Sequence, residues 1–177
     1  MPSKKRSNTS LSKKQPKFRY FVDRSLGSHF LPLQLREAGL DIVVHDDIYQ
    51  QTERDPWIFY ECGMKKLVVI TSDTLFMKSF PHMAAISLAH TSVIAFTNNN
   101  YKSQVRGDAF IRARKLIEKS LASHKGAYFV GVVGTNGSFR VCAESPLPSR
   151  KTCKPEDWQS YDRVCKTAGV PPLFPKR

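Results

Sequence analysis

Cysteine, acidic residues and long apolar runs are all scarce in this sequence of 177 residues. The four cysteines stand far apart and form no C-x-x-C pair, which argues against a zinc site and favours reduced thiols. No apolar stretch approaches the roughly 20 residues that a membrane-spanning helix needs. The beginning of the chain also lacks the apolar core of a secretory signal, so the sequence predicts a cytoplasmic protein without a membrane segment.

Acidic residues are outnumbered, and most of them lie in one part of the chain. The sequence contains 15 Asp and Glu residues against 28 Lys and Arg residues, which gives a formal net charge of +13. Nine of the acids fall between Asp23 and Asp73. A local acidic cluster in a basic protein is typical of a cation site beside a surface that binds a polyanion.

The length fits one domain with tails. Residues 1–17 mix Lys and Arg with Ser, Asn, Thr, Gln and Pro, so we expect a disordered basic tail. A solvated tail is its simplest interpretation, and a loose phosphate-binding arm is the functional alternative. We expect residues 18–145 to form the domain and residues 146–177 to form a C-terminal extension that packs on it.

Apolar runs of strand length alternate with helical patterns from Phe18 onward. Asp55-Pro56 is a helix-start signal, with Asp55 expected at the N-cap and Pro56 as the first helical residue. Gly39 is expected to end a helix, and Asn136-Gly137 predicts a hairpin. The predicted strands are Phe18–Val22, Ile42–Val44, Leu67–Ile70, Ser92–Phe96, Ala127–Val133 and Ser138–Ala143. The predicted helices are Leu31–Ala38, Asp55–Gly63, Phe80–Ala89, Asp108–Ser123 and Pro155–Thr167. This order predicts an α/β fold with a mainly parallel sheet, a C-terminal hairpin and a short helix.

Three aspartates stand where such a fold places its ligands. Asp23 and Asp73 each follow an apolar strand, and the carboxyl ends of strands border the ligand crevice of an open α/β sheet. Asp55 opens the helix between them. Clustered carboxylates repel one another unless a cation, a proton or an arginine joins them, and hard oxygen ligands suit Mg²⁺ or Mn²⁺. Each has a structural alternative, because Asp55 could act only as a cap and the other two could only start turns.

Five short motifs in order resemble the PIN-like domain of VapC-type toxins. They are V-D-R-S-L-G from Val22, L-R-E-A-G from Leu35, H-D-D from His45, D-P-W-I from Asp55 and T-S-D from Thr71. The resemblance covers about Phe18 to Val141. It implies a PIN-like fold with a Rossmann-like three-layer α/β/α arrangement, Mg²⁺-dependent ribonuclease activity and the toxin role in a type II toxin–antitoxin system.

The resemblance also implies roles for individual residues. Asp23, Asp55 and Asp73 match the acids that hold the metal and carry catalysis. Many such domains add an acid after the fourth strand, where this chain has Thr97 followed by three asparagines; the neutral side chains argue against a second metal. Arg24, Ser72 and Asn98 are further candidates, which we expect to contact the ligands rather than the metal. We interpret His45 as a packed or surface residue and the two acids after it as part of a loop.

The longest predicted helix carries a basic stripe. Arg112, Lys115 and Lys119 fall at i, i+3 and i+7, so they share one helix face. This face is a candidate RNA-binding surface, and the alternative is a solvated face opposite the apolar residues of the helix.

Together these features predict an endoribonuclease in which Mg²⁺ (or Mn²⁺) activates a water that cleaves RNA. RNA, an antitoxin protein and a second copy of the chain are its expected partners. The first alternative is a catalytically inactive PIN-like module that binds RNA or a protein partner, which the missing fourth acid favours. A phosphatase or receiver-like domain is a weaker alternative, because no Asp-x-Asp pair follows the first strand.

Overall fold

A six-stranded sheet forms the centre of the protein in the computed structural model, which describes residues 17–97, 101–126, 128–142 and 153–171. Most of the predicted basic tail (residues 1–16), Asn98 and the first part of the predicted extension (residues 146–152) lie outside this described part. The strands are β1 (Arg19–Val22), β2 (Asp41–Val44), β3 (Leu67–Thr71), β4 (Ser92–Phe96), β5 (Phe129–Val133) and β6 (Phe139–Val141).

The strand order is β2-β1-β3-β4-β5-β6. Strands β1 to β5 are parallel, and β6 pairs with β5 in the antiparallel direction. The turn between β5 and β6 places Gly137 at a φ of 82°, a backbone conformation that glycine adopts readily. The predicted mainly parallel sheet and its C-terminal hairpin are therefore confirmed.

Helices cover both faces of the sheet, which gives a three-layer α/β/α arrangement. They are α1 (Phe30–Glu37), α2 (His45–Ile48), α3 (Asp55–Met64), α4 (Phe80–Leu88), α5 (Ser103–Ser123) and α6 (Pro155–Ala168). Helices α1 and α5 pack on one face, and α3 and α4 pack on the other. Helix α6 lies outside α3 and α4 and shares an apolar cluster with them. None of the helices in the described ranges is long and apolar enough to cross a lipid bilayer.

Side-chain alternation along the strands divides the core between the two faces. Val22 and Ile70 pack toward α1 and α5, whereas Phe21 and Val69 pack toward α3 and α4. Strands of a parallel sheet are buried on both faces, which explains why β3 reads as a continuous apolar run in the sequence.

The structure corrects three local predictions. Helix α3 has Arg54 at its N-cap and Asp55 as its first residue, so the predicted capping role of Asp55 is wrong. The two acids after His45 lie in the short helix α2 and not in a loop. Helix α5 begins at Ser103, five residues before the predicted start at Asp108, so Gly107 lies inside the helix. A Cβ at Gly107 would meet the amide end of the Gln34 side chain of α1, so the two helices are in contact there.

Candidate functional site

The carboxyl ends of β1, β2 and β3 bring polar side chains together. The chain runs from β1 to β2 on one side and then crosses to β3 on the other, which is the switch point where open α/β sheets bind ligands. Val22 pairs with both Val44 and Ile70. The residues that follow these three along the chain are Asp23, His45 and Thr71, and they are therefore neighbours. By the alternation of the strands, they face the layer that contains α3 and α4.

Asp23 is held by a network of hydroxyl groups. The hydroxyls of Ser25 and Thr71 donate to Asp23 Oδ2 at 2.6 and 2.9 Å. Ser25 Oγ accepts the backbone N–H of Ser72 at 3.1 Å, and Ser72 Oγ donates to the Ser25 carbonyl at 3.0 Å. Ser72 therefore contacts Asp23 only indirectly, through Ser25. Asp23 is only 9% exposed, so its carboxyl group is fixed in orientation.

Asp55 approaches the same region from the first turn of α3, where it lies next to a histidine. His82 Nε2 is 3.8 Å from Asp55 Oδ2, and His82 Nδ1 is 2.6 Å from the hydroxyl of Ser79. His82 is buried in α4. Sequence reasoning did not select it, although a histidine inside an otherwise apolar helix was a usable signal.

The pKa values of the two carboxyl groups are shifted in opposite directions, because their surroundings differ. Burial raises the pKa of Asp23; hydrogen bonds from Ser25 and Thr71 offset part of this effect, and the charge of Asp55 adds to it. Burial also raises the pKa of Asp55, but the hydrogen bond and charge of His82, with the charges of Arg24 and His45, outweigh it and lower that pKa overall. The site thus contains one readily ionised carboxylate beside one that resists ionisation.

Asp73 has a structural role in the same neighbourhood. Its backbone N–H donates to Thr71 Oγ1 at 3.0 Å, and its Oδ1 accepts the backbone N–H of Leu75 at 2.7 Å. It therefore shapes the turn after β3, as the structural alternative predicted. Within the described ranges, no group of three or more His, Cys, Asp or Glu side chains is arranged to hold a metal ion.

A cleft of about 410 Å³ joins Asp55 to Asp73 and is surrounded by basic side chains. Its cationic lining consists of Arg24, Arg54, Lys78 and Lys154. The Arg24 guanidinium donates to the Gln51 carbonyl, which fixes it beside the cleft. Arg24 was predicted at the site. The other three were not, because Lys78 and Lys154 reach the cleft only through tertiary packing, while Arg54 could have been inferred from its place before Asp55.

His45 follows β2 at the same edge of the sheet as Asp23 and Thr71. It is fully buried, packs beside Phe21 and Tyr49, and places Nδ1 3.0 Å from Asp46 Oδ1. Its Nε2 makes no hydrogen bond to any described residue. Of the two predicted alternatives, a packed or a surface histidine, the structure shows the packed one.

The predicted RNA-binding stripe lies elsewhere. Arg112, Lys115 and Lys119 are exposed, and the apolar residues Ala109 and Ala113 on the same helix are buried. Arg112 donates to the Thr135 carbonyl at 3.0 Å. Because α5 covers the opposite face of the sheet from α3 and runs toward the amino ends of the strands, the stripe is not part of the cleft. Its RNA-binding role stays a prediction.

Helix α6 caps the helix that carries Asp55. The backbone N–H of Trp57, in the first turn of α3, donates both to the Ser160 hydroxyl at 3.1 Å and to the Arg54 carbonyl at 3.1 Å, so Ser160 adds a side-chain acceptor at a helix start that has few of its own. Arg163 lies 3.7 Å above the Trp57 ring and makes a 3.0 Å ion pair with Glu53. Since Arg54 provides no side-chain cap, Ser160 takes that function from a distant helix.

We expect Ser160→Ala to destabilise the protein by about 1 kcal/mol, the usual loss for a removed helix cap. Hydrogen exchange should show faster exchange at the Trp57 amide. Val164→Ala is a suitable control, because Val164 is fully buried on α6 but makes no cap, so it should lower stability without selective exchange at Trp57. Unchanged protection of the Trp57 amide in Ser160→Ala would show that the cap is ineffective.

In comparisons with known proteins, no family model, no curated protein and no solved structure matched this chain. The fold class and the cleft are therefore established from the chain itself.

Proposed function

We propose that this protein is a metal-dependent endoribonuclease with a PIN-like domain, and that it cleaves RNA in the cleft beside Asp55. The observation that carries the proposal is a cleft near the strand-order switch point that is lined by Asp55, Asp73 and four basic side chains, with Asp23 near enough for the charge of Asp55 to act on it. Acidic residues surrounded by basic side chains suit a phosphodiester substrate, because the basic side chains attract its negative charge.

The donor set fits Mg²⁺ or Mn²⁺. Mg²⁺ keeps several waters and commonly binds proteins through one or two carboxylates together with substrate phosphates, so Asp23 and Asp55 suffice as protein ligands. The raised pKa of Asp23 supports this fit, because a buried carboxyl group beside another carboxylate lacks a neutralising charge. Asp73, on the same cleft, is the third proposed ligand. A bound Mg²⁺ would supply an activated water and offset charge on the phosphoryl oxygens.

The protein's own residues would position the substrate. Arg24, Arg54, Lys78 and Lys154 would contact phosphate oxygens of the RNA backbone, which fixes the chain without reading its sequence. His82 would hold Asp55 in orientation through their close contact, and the hydroxyls of Ser25 and Thr71 would do the same for Asp23. The toxin role and the antitoxin partner stay predictions from the sequence resemblance.

A catalytically inactive RNA- or partner-binding module is the second candidate. The engagement of Asp73 Oδ1 by the Leu75 N–H favours it, because a carboxylate used in a turn is a weaker candidate ligand. The lack of a three-residue metal group in the described part of the chain points the same way.

Cleavage of a labelled single-stranded RNA, with Mg²⁺ or with a chelator, decides between these functions. We expect cleavage only with the metal. A substrate with 2′-deoxy sugars should also be cleaved, because an activated water needs no 2′-hydroxyl; this separates the activity from contaminating ribonucleases that use that group. RNA binding without cleavage at any metal concentration would select the inactive module.

A further inference from the structure

The amino ends of the strands form a second basic surface, on the side of the sheet away from the cleft. Residues just before β1 and β3 lie at this edge, and so does the end of α5, because α5 connects the carboxyl end of β4 to the amino end of the parallel strand β5. Four exposed lysines collect there, which we call the basic edge: Lys17, Lys66, Lys115 and Lys119.

Two grooves connect the members of the basic edge. A groove of about 810 Å³ is lined by Lys17, Lys66 and the apolar residues Phe18 and Met64, the last of which is 63% exposed. A neighbouring groove of about 470 Å³ is lined by Lys17, Lys115 and Lys119. Lys17 lies in both, so the grooves are adjacent.

The charges of the basic edge are not balanced by nearby acids. The acids in this region are already paired: Asp41 with Arg19 at 2.9 Å, Glu61 with Lys65 at 3.5 Å, and Glu118 with Arg114 at 2.8 Å. None of the four lysines pairs with an acid among the residues that the structure describes. The surface therefore has a net positive potential that an anionic partner would neutralise.

The backbone at this edge is strained. Lys66 and His90 follow α3 and α4 with φ angles of 55° and 53°, the left-handed region that glycine usually occupies after a helix. A lysine at such a position lowers stability relative to glycine while it presents a charge.

We propose that the basic edge is a second RNA-binding surface, which holds the phosphate backbone of a single-stranded RNA outside the cleft. A positively charged groove that follows the RNA backbone, with an aromatic side chain such as Phe18 beside it, is typical of a sequence-tolerant surface for single strands. The five residues of β3 separate this edge from the cleft by roughly 16 Å, so an RNA of several nucleotides is needed to contact both. The inference rests on the proposed function for its ligand class, RNA. It extends the predicted stripe, to which Lys115 and Lys119 belong, to Lys17 and Lys66 at the amino ends of the strands.

The test measures the affinity of a labelled oligouridine for the Asp55→Asn protein without added metal, across a range of salt concentrations. Lys66→Glu combined with Lys119→Glu removes two expected phosphate contacts, so the log–log salt slope should fall by about 1.4 and the Kd should rise roughly 25-fold in 0.1 M salt. Lys102→Glu with Lys166→Glu is the matched control, because it changes the net charge equally at exposed lysines outside both grooves.

A second variant separates binding from folding. Lys66→Gly should raise the melting temperature by about 2–4 °C, since glycine relieves the left-handed strain, and should still weaken RNA binding. If Lys66→Glu with Lys119→Glu changes RNA affinity no more than the control, Lys102→Glu with Lys166→Glu, the proposal is wrong. It is also wrong, in favour of a membrane partner, if Lys66→Glu with Lys119→Glu keeps its RNA affinity but no longer binds phosphatidylserine vesicles. Because the assay measures binding alone, a failure of RNA cleavage leaves its result intact.

Discussion

Asp55→Asn should reduce RNA cleavage by at least about 10²–10³-fold while the protein stays folded, since removal of a key electrostatic group from an active site has an effect of this size. Asp55 is the better ionised member of the acidic pair, because His82, Arg24 and His45 lower its pKa below the ordinary value. Asparagine keeps the shape of the side chain at the first residue of α3 but loses its charge. Initial cleavage rates and thermal unfolding of the two proteins provide the measurement.

Asp157→Asn is the matched control for this substitution. Asp157 lines the same cleft from α6, so its replacement makes the same change in charge without touching the acidic pair. We expect it to keep most of the activity. If Asp55→Asn cleaves RNA as fast as Asp157→Asn in saturating Mg²⁺, catalysis does not depend on Asp55 and the proposed site is wrong.

Mg²⁺ should raise the melting temperature, and the rise should grow with pH. A ligand that binds only the folded state stabilises it by about 2.7 kcal/mol at 100 times its Kd, or roughly 5–10 °C for a protein of this size. Asp23 has a pKa above its ordinary value of 3.8 in the folded protein, so its contribution to the stability of the metal-free protein is lost as pH rises through that pKa. Thermal unfolding between acidic and neutral pH, with and without Mg²⁺, measures both effects.

The Asp23→Asn variant provides the corresponding control. Without the ionising carboxyl group, the metal-free protein should lose less stability as pH rises, and the response to Mg²⁺ should largely disappear. Asp55 acts in the opposite sense: its pKa is lowered, so its contribution to stability is lost only as pH falls through that value. A Mg²⁺ response that survives in both Asp23→Asn and Asp55→Asn would place the metal elsewhere.

The strands of the sheet were predictable because each one has a recognisable pattern in its own short stretch of sequence. Strands buried on both faces appear in sequence as apolar runs, and β4 has the predicted bounds Ser92–Phe96. Gly39 adopts the left-handed conformation predicted after α1. The position of Asp23 followed from a general property of open α/β sheets, whose strand ends border the ligand crevice.

The surroundings of the carboxylates were not predictable in the same way, because they depend on tertiary packing. Lys154 and Lys78 lie far from Asp55 in sequence and reach the cleft only after α6 and the turn before α4 have packed. His82 contacts Asp55 for the same reason. The N-cap prediction for Asp55 failed because Asp before Pro satisfies a local rule, whereas in the structure the added side-chain acceptor at the first turn of α3 comes from Ser160.

The cap on α3 has a consequence for the order of events during synthesis. Ser160 follows Trp57 by 103 residues, so a ribosome must add all of them before the first turn of the Asp55 helix receives its last hydrogen bond. Lys154, on the wall of the cleft, also emerges late. At about 5–20 residues per second, the cleft stays incomplete for roughly 5–20 s after Trp57 has been added. A nascent chain therefore completes the walls of the cleft only after most of the domain has been synthesised.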